Sequence, residues 1–389
     1  MVSQSNKRPK VVMFSTVHSA TDSRIFHKEA RSLSLAGYDV VVVACACGDA
    51  LLHGVQIRAL TRATSRVKRA AGSLRLFRMI LRERAKVHHF HDPELIPLGV
   101  LLRILGKKVI YDAHEDVPED ILSKRYLPGW LRTLVRAAVG PVERWASRRM
   151  SAVIAATEGI ARRLHGATVA RNYAVLAHVR QVFDVTTGRG RSEPFVVYFG
   201  TITRDVGIRE MVAAVARVSQ AYPIRLRLLG AFEDDALRSE ILDGGAREVI
   251  DYGGFVPMPQ VYERYKGALG GLLVLHPVKK LMCSLPIKMF ECMACGVPLI
   301  ASDFPLWREI IYDQGCGLVV NPLDVQEIAN AIIYLVQNRA EAEKMGRKGI
   351  ELAQTKYNWE KESCRLLRVY GRLLARGEGA LPPARKQSG

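Results

Sequence analysis

Apolar and polar positions along this chain fall into blocks that repeat in the same order. "VVMF" at 11–14 is a short apolar run ending in Ser and Thr, and a helix-like segment follows at 24–36, closed by Gly37. "YDVVVVACA" at 38–46 is a β-branched run too apolar for a surface strand. Strand, helix, glycine and strand at this spacing predict a β-α-β unit in a parallel sheet. The pattern recurs. "LIPLGVLLRILG" at 95–106 is a helix with a glycine stop, "KVIYDA" at 108–113 the strand after it, and "SAVIAAT" at 151–157 another strand, with a helix opening at 158.

A second series starts after the polar, glycine-containing stretch 186–194. It predicts strands at 195–200, 224–230, 249–254, 270–277 and 297–303, with helices at 208–218, 234–242 and 286–296. Two α/β domains follow, joined near 172–194. Open parallel sheets take ligands just beyond the carboxyl ends of their strands, so two facing domains predict a cleft with such ends on both walls. In "YDAHEDVPED", residues 111–120, His114 stands where a parallel strand feeds a loop, and a polar cluster is expected there. No strand leads into G-x-G-x-x-G and no G-x-x-x-x-G-K-[ST] loop occurs, which excludes dinucleotide oxidoreductases and P-loop NTPases.

Composition narrows the class further. The 389 residues suffice for two cores, and 49% hydrophobic residues exclude a mostly disordered chain. Lys and Arg number 57 against 38 acids, a formal charge of +19 that predicts attraction to a polyanion: nucleic acid, a nucleotide-linked substrate or anionic lipid. The seven cysteines are odd in number and mostly in apolar runs, and no signal peptide precedes Val11, so a reducing, cytosolic setting is expected. Cys292 and Cys295 have ligand-like spacing, but no second pair accompanies them, which argues against zinc there. No uncharged apolar run reaches the roughly 18 residues of a membrane span, and "MVSQSNKRPK" reads as a loose tail.

"SLPIKMFECMACGVPLIASDFPLWREII" at 284–311 resembles the donor-binding signature of retaining glycosyltransferases of family 4, in their bacterial surface-polysaccharide type. Other segments agree in order: "TDSRIFHKEARSLSLAGYDVVVV", "HFHDPELIPLG", "VIYDAHED", "VARNYA", "VVYFGTITRDVGI" and "YNWEKESCRLLRVYGRLL". The resemblance spans 10 to about 375 and implies a GT-B fold, two Rossmann-like parallel-sheet domains facing a central cleft. It places an acceptor-binding domain at 1–180, a donor-binding domain at 181–360, and a helix crossing back to the first domain, then a loose tail, at 361–389. The implied activity moves a sugar from a UDP- or GDP-linked donor to an acceptor hydroxyl with retention. No cofactor and no metal are expected, because protein groups stabilise the leaving diphosphate.

The same resemblance assigns residues. Glu291 matches the glutamate that binds the donor's ribose; the alternative is an ordinary helix acid. Amides from Leu285 to Ile287 open its helix and, with Lys288 in the first turn, face the diphosphate, unless Lys288 is simply solvated. Gly200 and Gly207 form the glycine loop, but Thr201 and Val206 stand where the family has a basic pair, so Arg204 or Arg209 takes the phosphate. Cys283 replaces an earlier glutamate that contacts the sugar, which obscures the sugar's identity. Phe255, Val256 and Pro257 are the candidate base pocket. His114 lies near the sugar and acceptor, or else fixes its loop through Asp112 or Glu115. His91 and Glu94 are expected to face the cleft, with Asp92 capping the next helix. Asp22 and Arg24 order the first loop, or Asp22 caps its helix, and His18 reaches the acceptor. Asn172 caps or bridges, Glu309 lies near the donor, and Trp307 does so too or packs the domain.

Two basic stretches remain. From 62 to 86 nine basic residues face the single acid Glu83, interleaved with apolar ones, and 124–149 adds Trp130 and Trp145. Both suit an anionic membrane surface, or else their apolar sides pack inward. No nucleic-acid module is present, so nucleic acid is not an expected partner. The expected partners are a nucleotide-sugar donor, a glycan or polyprenyl-linked acceptor, and the inner face of the plasma membrane. Two rival readings stay open: a non-catalytic GT-B subunit, and a sugar-nucleotide epimerase that needs no acceptor.

Overall fold

The computed structural model describes residues 8–61, 66–114, 117–123, 128–182, 194–257 and 260–375. It divides into two units, Met1–Arg171 with Lys361–Gly389, and Asn172–Glu360.

The first unit is built on one sheet of β1 (Lys10–Ser19), β2 (Asp39–Cys45), β3 (Ala50–Leu52), β4 (Val55–Leu60), β5 (Val87–Phe90), β6 (Lys108–Ala113), β7 (Ala152–Ala155) and β8 (Thr168–Val169). Their order is β3-β4-β2-β1-β5-β6-β7-β8, parallel throughout except for the β3–β4 hairpin. Val40 to Val43 are fully buried, as a run with no polar alternation requires. The order of the strands reverses between β1 and β5, so the carboxyl ends of these two strands and of β6 border a topological switch point.

The second unit has β9 (Phe195–Phe199), β10 (Arg225–Leu229), β11 (Ile250–Gly254), β12 (Gly270–Leu273), β13 (Leu299–Ser302) and β14 (Gly317–Val320). All run parallel, in the order β11-β10-β9-β12-β13-β14, with the switch between β9 and β12. Each unit is thus a Rossmann-like sheet, the fold class expected from the repeated blocks.

The boundary falls at Arg171, ahead of the expected position 180. The reason is local packing: Tyr173 stacks edge-on against Phe290 and Tyr357, and Ala174 bridges to Asn358. Residues 361–375 join the first unit, where Tyr370 packs on Tyr38 and His89. The helix after β1 also differs from expectation. Ile25–Ala30 is a π-helix, with Glu29 N–H donating to the Arg24 carbonyl, before ordinary α-helix resumes at Arg31.

Candidate functional site

In the first unit the switch point holds a buried polar network. Arg24, one residue before the π-helix, sends its guanidinium inward. Nε and Nη2 donate to Asp112 Oδ2 and Oδ1 at 2.7 and 2.9 Å, and Nη1 donates to the Ala170 carbonyl at 3.0 Å. Burial opposes the charge on Asp112, yet Arg24 and then His91 hold its carboxyl well below the usual range. Glu29 goes the other way: burial, reinforced by the charge of Asp112, pushes it well above that range even with Arg24 Nε at 3.1 Å. His91 Nδ1 lies 3.3 Å from Asp112 Oδ2, and His89 Nδ1 2.7 Å from the Tyr370 hydroxyl.

His114 follows β6 directly and is half-buried, its Nε2 3.3 Å from His18 Nε2. Burial is the main cause that pushes its pKa down to about 4, and Arg24, His91 and His18 add to it against Asp112. A neutral imidazole at a strand end can donate or accept a hydrogen bond at a hydroxyl without acting as a strong base. His18 in turn lies 3.5 Å from Asp92 Oδ1.

Several expectations are corrected here. His91, expected to face the cleft, is fully buried against Asp112 and Glu29. Asp92 makes no side-chain cap to the following helix; it accepts from Thr16 N–H at 2.6 Å and from the Ser15 and Thr16 hydroxyls, tying the end of β1 to the end of β5. Glu94 is exposed and accepts from the Thr16 hydroxyl. Asp22 is the helix cap, its Oδ1 accepting from the amides of Arg24 and Ile25. Glu115 lies outside the described residues.

In the second unit three neighbouring strands meet a glycine at their carboxyl ends: Gly200 follows β9, Gly230 follows β10, and Gly254 closes β11. Gly200 N–H donates to the Leu229 carbonyl at 2.8 Å, and Gly230 N–H to the Gly254 carbonyl at 2.7 Å. Gly230 has φ +149°, and a Cβ there would strike the Gly200 carbonyl oxygen, so no other residue fits without moving that loop. A Cβ on Gly200 would strike Lys288 Nζ, which lies over the Tyr198 ring, 3.1 Å from its hydroxyl. Gly207, φ +56°, starts helix Ile208–Ser219 under the Val274 carbonyl. Helix Ile287–Ala294 begins after Pro286, and Lys288 in its first turn brings its ammonium to Gly200 at the strand end.

Glu291 is 1% exposed, and the Tyr262 hydroxyl donates to its Oε1 at 3.3 Å; it is no solvated helix acid. Burial, then the charge of Glu291, raises the Tyr262 hydroxyl well above its ordinary pKa. Phe255 is 76% exposed beside buried Val256, and Pro257 is exposed; these follow Gly254. Leu285 is partly buried. Trp307 Nε1 donates to the Ser284 carbonyl at 2.8 Å, so this buried indole packs the domain and also holds the loop ahead of Lys288. Glu309 and Cys283 are exposed. Of the arginines expected at the phosphate, Arg204 is paired with Glu233 and Asp234 on the loop after β10, and Arg209 with Glu240 on the next helix.

The two basic stretches part company. Helix Arg66–Arg82 buries Leu76 and Ile80 in the core. Helix Gly129–Ser147 turns Trp130, Leu134 and Trp145 outward at 70, 62 and 45% exposure, and Arg149 stacks on Trp145. No helix among the described residues is long and apolar enough to cross a membrane.

Sequence reasoning missed Glu29, His89, Tyr198, Tyr262, Gly230 and Tyr370. Gly230 carried a usable signal, since it follows an apolar strand just as Gly200 does.

Two family models match the chain, Glycosyltransferase Family 4 over residues 23–177 and Glycosyl transferases group 1 over 180–352. Alpha-D-kanosaminyltransferase of Streptomyces kanamyceticus is 25% identical over 303 residues, 70% of this chain and 72% of that protein. O-antigen chain mannosyltransferase B of Escherichia coli is 30% identical over 182 residues, 45% of each chain, so this match spans less than half of the relative. The structure of HepE of Anabaena in complex with UDP-glucose superimposes with TM-score 0.68 at 14% identity, covering 93% of this chain and 99% of that one. The fold is GT-B.

Proposed function

We propose that this GT-B glycosyltransferase moves a sugar, with retention, from a UDP- or GDP-linked donor to a hydroxyl of a glycan or lipid-linked acceptor in bacterial surface-polysaccharide assembly. One observation carries the reading: Lys288, in the first turn of helix Ile287–Ala294, brings its ammonium to Gly200 at the switch point of the second sheet. As the glycosidic bond breaks, negative charge grows on the diphosphate, and a fixed ammonium with fixed amides stabilises it without reorganising. In this reading no metal acts in the transfer step. Glu291, reached by displacing Tyr262, binds the ribose, and exposed Phe255 stacks on the base beside Val256 and Pro257. His114 hydrogen-bonds a hydroxyl of the sugar or acceptor. The E. coli relative's name and the UDP-glucose held by HepE support the donor and acceptor classes. Trp130, Leu134 and Trp145, beside the arginines of their helix, rest on anionic lipid at the inner face of the plasma membrane.

The test is calorimetric titration with UDP, GDP and ADP of the wild type, Lys288→Ala and Glu291→Ala. Selective binding of one nucleotide, lost in both variants, is expected; folded wild type that binds none of the three overturns the donor site. A second reading, a non-catalytic GT-B subunit, is favoured by the pairing of Arg204 with Glu233 and Asp234 and by Cys283. It predicts no turnover with any donor and acceptor.

A further inference from the structure

We propose that His89, His91 and Glu29 of the first unit hold a buried divalent transition-metal ion of the zinc class, with Asp112 beside it. His89 and His91 are two apart along one extended segment, so their rings leave the same face of the sheet. Glu29 comes down onto that face from the π-helix. Its Oε2 lies 3.9 Å from His89 Nε2 and 3.9 Å from His91 Nε2, too far for hydrogen bonds. One ligand atom from each of Glu29, His89, His91 and Asp112 can be chosen so that all lie within 4.8 Å of one another.

The second observation concerns the ring nitrogens. In His89, Nδ1 is bonded to the Tyr370 hydroxyl; in His91, Nδ1 lies 3.3 Å from Asp112 Oδ2 without hydrogen-bond geometry. Metal-bound histidines direct their other nitrogen to such an outer partner, which sets the ring and leaves Nε2 to the metal. Both Nε2 atoms and Glu29 Oε2 are fully buried without a hydrogen-bond partner, a costly state for three polar atoms aimed at one point. Two imidazoles and a carboxylate suit zinc or a neighbouring first-row ion rather than magnesium or calcium. Ligand distances of about 2.0–2.2 Å to zinc require the 3.9 Å separations to close by about half an ångström, within reach of side-chain adjustment.

Charge permits the ion. Arg24 is bonded to Asp112 and lies 3.1 Å from Glu29 Oε1, so with both acids ionised the cluster holds one more negative than positive charge. A proton on Glu29 is the rival occupant. The ion would tie β5 to the helix above it, beneath His114, whose ring centroid is 5.9 Å from that of His91. This role is structural and does not depend on the proposed transfer reaction.

Elemental analysis of protein grown with zinc and purified through metal-free buffer tests it. About one zinc per chain is expected in the wild type, falling below about a tenth in Glu29→Gln and His91→Ala. Adding zinc to stripped wild type should raise its melting temperature. Folded wild type with less than about a tenth of an equivalent, and no thermal response to zinc, overturns the proposal in favour of the proton. So does zinc retained by both variants. If the variants fail to fold, the wild-type metal content and its thermal response still decide.

Discussion

Arg24→Met tests how much of the first unit depends on one buried cation. The substitution keeps the side chain's apolar length and removes three hydrogen bonds, two to Asp112 and one to the Ala170 carbonyl. Asp112 is then a fully buried carboxylate without its counter-charge. Removing one partner of a buried ion pair costs about 3–5 kcal/mol, far more than the net worth of the pair, because the other charge is left stranded. At about 2–4 °C per kcal/mol for a unit of this size, the melting temperature should fall by roughly 6–20 °C. Calorimetry resolves the unit that moves, and the second unit's transition should stay in place. The double variant Arg24→Met, Asp112→Asn removes the stranded charge and should regain about half of the loss. A single variant melting within about 2 °C of wild type, or a double variant less stable than the single, refutes the argument.

Gly230→Ala should lower stability by about 2 kcal/mol or more and weaken nucleotide binding, since φ +149° and the Gly200 carbonyl leave no place for a Cβ; wild-type melting and titration together would contradict this. Replacing Trp130 and Trp145 by serine should reduce sedimentation with anionic vesicles by about tenfold at low salt, and unchanged binding removes this helix from the lipid contact. With a thiol reagent at pH 8, exposed Cys47, Cys283 and Cys364 should react first. Burial pushes the Cys292 and Cys316 thiols up to about 12 and the Cys295 thiol well above its usual value, so these three should react only after unfolding. Rapid reaction of all seven in native protein refutes that assignment.

The sheets were legible because each central strand is an apolar run between a glycine stop and a polar turn. Strand β5 was harder: its four residues read "VHHF", and two histidines hide a strand whose every residue is buried. Gly200 and Gly207, named by the resemblance, stand where φ is positive. Arg204 and Arg209, named for the phosphate by their place in and after that loop, pair with acids some thirty residues on, a pairing no local pattern reveals. Glu29 looked like one more polar position in a helix. Its burial follows from the π-helical turn, which shifts the register of the segment and is invisible to a search for a 3.6-residue period.

The return of residues 361–375 to the first unit has a consequence for synthesis. Leu366, Val369 and Tyr370 are buried there, with Tyr370 against Tyr38 and His89. On the ribosome, Asn172–Glu360 emerges whole before that helix does. At about 5–20 residues per second, the earlier-made sheet waits roughly 10–40 s with an apolar seat open, a window in which a chaperone can hold it. The unit translated first is therefore the one completed last.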